Sequence, residues 1–143
     1  MNAFGIYGNL MKSFSMTELD FGFEKLYIWK KTREFKKDVR KLVQTFPLEE
    51  KFRLTDQLIR CSRSINALLS EGHGRFTYAD QTHYCIQARG SLSETINHLI
   101  DALDEGYIND ETLNYYRMKA KEIERLLNGY ITYLRKQRIE IKK

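Results

Sequence analysis

Arg33, Lys36, Lys37 and Arg40 recur at three- and four-residue intervals, the spacing that gathers side chains on one face of a helix. Four cations on one face form a strip that can meet successive phosphates, and arginine offers bidentate geometry to each. Further along, Arg60 and Arg63 stand almost opposite an apolar stripe, and Arg75 closes the turn-like run Glu71-Gly72-His73-Gly74. These seven residues are the candidate nucleic-acid contacts. Arg135, Lys136, Arg138, Lys142 and Lys143 add cations at the end of the chain. The balance of 24 Lys+Arg against 19 Asp+Glu gives a net charge of +5, a modest excess. Solvated helix faces alone can produce such an excess, so the strip names a chemistry and leaves the ligand open.

Other chemistries leave no signature. His73, His83 and His98 do not stand at the Glu-x-x-His spacing by which helical bundles hold metals. Ser64 and Ser91 fall inside helical patterns with no nucleophile elbow around them. No phosphate-cradling or dinucleotide-binding glycine pattern occurs. The expectation is a non-enzymatic protein with no cofactor and no metal. Cys61 and Cys85 fall on apolar faces without a CxxC pattern, which predicts buried, reduced thiols and a cytoplasmic setting. A mean hydropathy of -0.55, with no run of roughly 20 apolar residues, points away from the membrane.

The elements that position these residues follow from apolar periodicity. A chain of 143 residues with a single proline predicts one mostly helical domain. Ile28, Phe35, Val39, Leu42 and Phe46 mark a first helix over 24–45, ended by Pro47. Leu54, Leu58, Cys61, Ile65, Leu68 and Gly72 mark a second over 48–71, with Glu49 and Glu50 at its dipole-positive end. Thr77 is the predicted N-cap of a third helix, whose stripe is Cys85, Ala88, Leu92, Ile96, Leu99 and Leu103 and which stops near Gly106. Asn109 caps a fourth, with Leu113, Tyr116, Ala120, Ile123, Leu127, Tyr130 and Leu134 inward. Short turns between long helices predict an all-α, antiparallel up-down-up-down four-helix bundle over 23–143. Residues 1–22 read as a flexible extension.

A second, semi-apolar stripe runs along the fourth helix through Tyr115, Leu126, Gly129 and Tyr133, and Trp29 lies off the main stripe of the first. One bundle core cannot easily bury both faces of a helix, so Trp29, Tyr115, Leu126 and Tyr133 are the candidate oligomer interface. The alternative is a broad core-facing arc whose tyrosine hydroxyls reach water.

Two ordered motifs then carry a family resemblance. Gln57-Leu58-Ile59-Arg60, Ser64-Ile65 and Glu71-Gly72-His73-Gly74-Arg75 make the first, and Ala88-Arg89-Gly90-Ser91-Leu92-Ser93-Glu94 the second. Together they resemble the 23S rRNA-intervening-sequence proteins, over roughly residues 23–135. That family typically shows Gln-x-x-Arg, Ser-Ile-Pro-x-Asn-Ile-x-Glu-Gly and Gly-Arg, then Ala-x-Gly-Ser-Leu-x-Glu. Asn66 stands where the family has proline, and Leu68 where it has asparagine. Asn66 is therefore expected to leave the second helix straighter. Small Gly90 and Ser91 are expected to admit a neighbouring helix, Glu71 to bridge to Arg75, and Arg60 to pair with Glu94. The resemblance implies a homo-oligomeric, pentameric ring with a cationic surface, encoded in bacterial genomes. It also implies kinship with the accessory variability protein of diversity-generating retroelements, which works with a reverse transcriptase and binds nucleic acid. The leading expectation is an oligomeric bundle that binds RNA or DNA through backbone charge. The alternative is an adaptor that engages a partner protein such as a reverse transcriptase.

Overall fold

The computed structural model describes residues 13–142, so the expectations for residues 1–12 and for Lys143 lie outside the described residues. Four helices carry the fold: α1 (Tyr27–Val43), α2 (Leu54–His73), α3 (Tyr78–Asp104) and α4 (Asp110–Lys142). Each packs on its neighbour in the chain, and α4 returns to close against α1. Among the described residues no diagonal pair of helices brings Cα atoms within 8 Å, and the arrangement is the antiparallel four-helix bundle that the periodicity predicts.

The helix ends follow local chemistry, with two corrections. Residues Gly22–Lys25 form a separate 3-10 turn, and Leu26 is extended, so α1 begins at Tyr27 and not at 24. The second helix starts at Leu54 and not at 48. Pro47 opens a 3-10 turn over Leu48–Glu50, and Arg53 leaves helical geometry at φ -121° and ψ -110°. Glu50 then caps α2 from four residues upstream, accepting the Leu54 N–H at 3.1 Å. Its other oxygen accepts the Tyr107 hydroxyl at 2.8 Å, which ties the α1–α2 connection to the α3–α4 connection. These two donors hold the Glu50 carboxyl below its usual range, and the Glu50 carboxylate pushes the Tyr107 hydroxyl up to about 12.

The remaining caps match expectation. Thr77 Oγ1 accepts the Asp80 N–H at 3.1 Å, and Asn109 Oδ1 accepts the Thr112 N–H at 2.8 Å. Gly106 takes a φ of 76° to end α3, letting the Tyr107 N–H reach the Ala102 carbonyl at 2.9 Å.

Leu58, Ile65, Leu99, Leu113 and Leu127 form the fully buried axis of the core. Six expected core residues, Leu42, Leu54, Leu68, Ile96, Leu103 and Tyr130, sit half-buried at its edge, and Val43, Leu69, Ala102 and Ile131 take inner positions. A straight helix of 3.6 residues per turn drifts against a heptad stripe, so a stripe drawn from spacing slips by one residue. Thr32, Ser62, Asn66 and Thr95 are buried polar residues within this shell. Among the described residues, no buried side-chain nitrogen or oxygen lacks a partner. Cys61 and Cys85 are buried free thiols, and burial pushes Cys85 up to about 11. No helix is long and apolar enough to cross a membrane among the described residues.

Candidate nucleic-acid interface

The flank of α1 that faces α2 collects five of the seven candidate contacts. Arg33, Lys36, Lys37 and Arg40 from α1 line an open groove of about 290 Å³ with Ile59, Ser62 and Arg63 from α2. No carboxylate lines it. Among the described residues none of these five cations forms an ion pair, although Arg33 lies 5.7 Å over the Trp29 ring.

Behind the groove, Lys36 reaches a buried polar node. Lys36 Nζ donates to Asn66 Oδ1 at 2.8 Å. The Asn66 amide nitrogen donates back to the Trp29 carbonyl at 3.1 Å and to Thr32 Oγ1 at 3.0 Å. Thr32 in turn donates to the Trp29 carbonyl at 2.9 Å. Partial burial holds the Lys36 ammonium below its usual range, and the like charges of Arg33, Arg63 and Lys37 push it the same way. Lys36 is thus a recessed cation with no anion of its own. The charge of an incoming anion would offset both effects.

The other two candidates lie elsewhere. Arg60 turns outward and bonds Asp56 at 2.9 Å along its own helix. Its expected partner Glu94 instead meets His98 at 3.4 Å, so the Arg60–Glu94 pair does not form. Asp56 wins because it sits one turn away on the same helix. Arg75 belongs to the α2–α3 turn. It donates to Glu71 Oε1 at 3.1 Å, as expected, and to the Tyr84 hydroxyl, and its guanidinium lies 4.9 Å over the Tyr84 ring. The Tyr84 hydroxyl donates to the same Glu71 oxygen at 3.1 Å, completing a staple across the hairpin. Gly72 is required there, since a Cβ on it would stand 2.7 Å from Tyr84 Cβ. Gly90 faces open space, contrary to expectation; of that pair only Ser91 meets the neighbouring helix, bonding Ser64 at 3.0 Å.

The interface candidates also divide. Trp29 lies beside the cationic groove, edge-on to Phe23 at 5.1 Å. Tyr115, Leu126 and Tyr133 share α4. Tyr115 is 43% exposed and donates to Asp38 Oδ2 at 3.1 Å, while Tyr133 is 52% exposed and stacks on Tyr130 at 6.2 Å. Leu126 is half-buried against the core. Sequence reasoning missed Asn66 and Thr32 as site residues. The signal available was a polar Asn66 between the apolar Ile65 and Leu69, at the position that departs from the family pattern. No group of three metal-ligating side chains occurs among the described residues.

The fold is that of an all-helical bundle, with five cations lining one groove. Residues 24–129 match the 23S rRNA-intervening sequence protein family, and the chain belongs to that family. A solved structure from Bacteroides thetaiotaomicron VPI-5482, a protein with unknown function from the S23 ribosomal protein family, has the same fold. It shares 25% identity at a TM-score of 0.68, covering 73% of this chain and 95% of its own. No curated protein matches the sequence.

Proposed function

We propose that this chain is a non-enzymatic, oligomeric bundle that binds RNA or DNA through the α1–α2 groove. The convergence of five cations on a groove without a carboxylate carries this reading. Apart from the cations, the groove offers only Ile59 and a Ser62 hydroxyl already donated to the Ile59 carbonyl at 3.2 Å. That is chemistry for a phosphate backbone and not for base edges, so specificity would come from nucleic-acid shape or from a partner. Fluorescence anisotropy with a labelled oligonucleotide tests it across a salt series. Three to five phosphate contacts predict a log–log slope of about -2 to -4.5. No binding at low salt would sink the proposal.

Self-assembly is part of the same reading, supported by the exposed tyrosines of α4 and by the pentameric ring that the family resemblance implies. Light scattering should find an oligomer, which Leu126→Glu with Tyr133→Glu should dissociate while helicity is kept; a monomeric wild type at micromolar concentration would contradict it. A second reading, an adaptor for a partner such as a reverse transcriptase, draws support from Leu48, Phe52 and Phe76, large apolar side chains exposed in the connections. Co-purification in high salt separates the two, because a groove-bound nucleic acid is lost and an apolar protein partner is kept.

A further inference from the structure

We infer that Asn66 is a positioning residue for anion binding, fixing Lys36 as the seat of one phosphate in the groove. The inference rests on the nucleic-acid reading of that groove. A lysine on a helix surface is a mobile point charge, and ordering it on a ligand costs rotamer entropy. Lys36 is different, because its ammonium is already held 2.8 Å from Asn66 Oδ1. Asn66 is itself fixed: it is 4% exposed, and its amide N–H groups are taken by the Trp29 carbonyl and Thr32 Oγ1. Lysine only donates, so the network leaves the Asn66 carbonyl oxygen a single direction, toward Lys36.

The chemistry of that partner matters. A neutral carbonyl orients the ammonium while leaving its full charge and two further N–H donors for a ligand. A carboxylate at the same place would neutralise it. Arg33, Lys37, Arg40 and Arg63 around the groove then supply flanking contacts, so a phosphate seated on Lys36 is surrounded by cations from both helices. Asn66 thereby couples the phosphate seat to the packing of α1 on α2.

A purely structural Asn66, holding the two helices together, is the alternative that the test must separate. The probe is a labelled 20-nucleotide single strand, bound to the full-length chain by anisotropy across a salt series. Lys36→Met should weaken binding about tenfold and shorten the salt slope by about one contact. Asn66→Asp, which neutralises Lys36 and also gives up the two amide donations, should weaken binding at least as much as Lys36→Met. Asn66→Leu should weaken binding severalfold, yet add nothing in the Lys36→Met background, because Asn66 acts through Lys36. Additive losses, or a Lys36→Met variant that binds like wild type, would overturn the inference while leaving the groove reading in place. A wild type that binds nothing removes both. Circular dichroism checks folding, and if Asn66→Leu unfolds, the Asn66→Asp and Lys36→Met pair decides alone.

Discussion

The two flanks of α1 present different charge and meet opposite fates: Lys31 with Glu34 and Asp38 toward α4, and Arg33, Lys36, Lys37 and Arg40 toward α2. On the flank toward α4, Lys31 meets Glu122 at 3.5 Å and Glu34 at 3.8 Å. Asp38 on that side accepts the Tyr115 hydroxyl at 3.1 Å, and its backbone carbonyl accepts Tyr116 at 3.0 Å. The crevice left there is only about 20 Å³. On the flank toward α2, the neighbouring helix offers Arg63 instead of a carboxylate, and a groove of about 290 Å³ stays open. A structural seam and a candidate binding site are therefore separated both by what α1 presents and by the reply of the adjacent helix, Glu122 on α4 against Arg63 on α2. Exposed ion pairs contribute little individually. Uncompensated like charges repel until an anion arrives.

Giving the groove the composition of the other seam should produce the largest effect. Arg33→Glu with Arg63→Glu should cut oligonucleotide affinity about 100-fold or more at moderate salt, measured by anisotropy. Next in size, Gly72→Ala should destabilise the α2–α3 hairpin by about 1–3 kcal/mol in chemical denaturation, because the new methyl meets the Tyr84 Cβ. The same variant should leave groove affinity within about threefold, which separates scaffold from site. Breaking the opposite seam with Glu122→Gln should change affinity by less than about threefold, since Lys31 faces α4 and not the groove.

The smallest effect concerns acid, at the end of the bundle that holds the Glu50–Tyr107 contact. Glu50 has a folded pKa below its ordinary 4.5, from the Leu54 N–H first and the Tyr107 hydroxyl second. A carboxyl depressed in the folded state stabilises above its unfolded pKa and loses that contribution as pH falls through the folded one. The melting temperature should therefore decline below about pH 4.5, and Glu50→Gln should flatten part of that decline. An unchanged acid profile in Glu50→Gln would remove the capping role.

Much of this architecture is legible in the sequence because the signals are local. Apolar spacing placed four helices, and Thr77, Gly106 and Asn109 marked ends through contacts with residues a few positions away. The basic strip was legible for the same reason, since Arg33, Lys36, Lys37 and Arg40 share a helix face. What local spacing could not carry depends on partners far along the chain. The start of α2 is set by a Glu50 side chain whose second partner, Tyr107, lies 57 positions away. The node behind the groove needs Asn66 to find Lys36, 30 positions back. Arg60 and Arg63 look alike in sequence, yet Asp56 claims one and the groove takes the other. Trp29 and Tyr133 both read as spare apolar surface, yet one meets Phe23 of the 3-10 turn and the other Tyr130 of its own helix.

A lysine-labelling footprint compares the two flanks in one experiment. The chain is treated with an amine-acylating reagent, with and without a saturating oligonucleotide, and modification is quantified by mass spectrometry at each lysine. The expected result is protection of Lys36 and Lys37 in the α1–α2 groove, with Lys31 and Lys119 on the α4 flank unchanged. Equal protection on both flanks, or protection on the α4 flank alone, would contradict the claim that the uncompensated groove is the binding site.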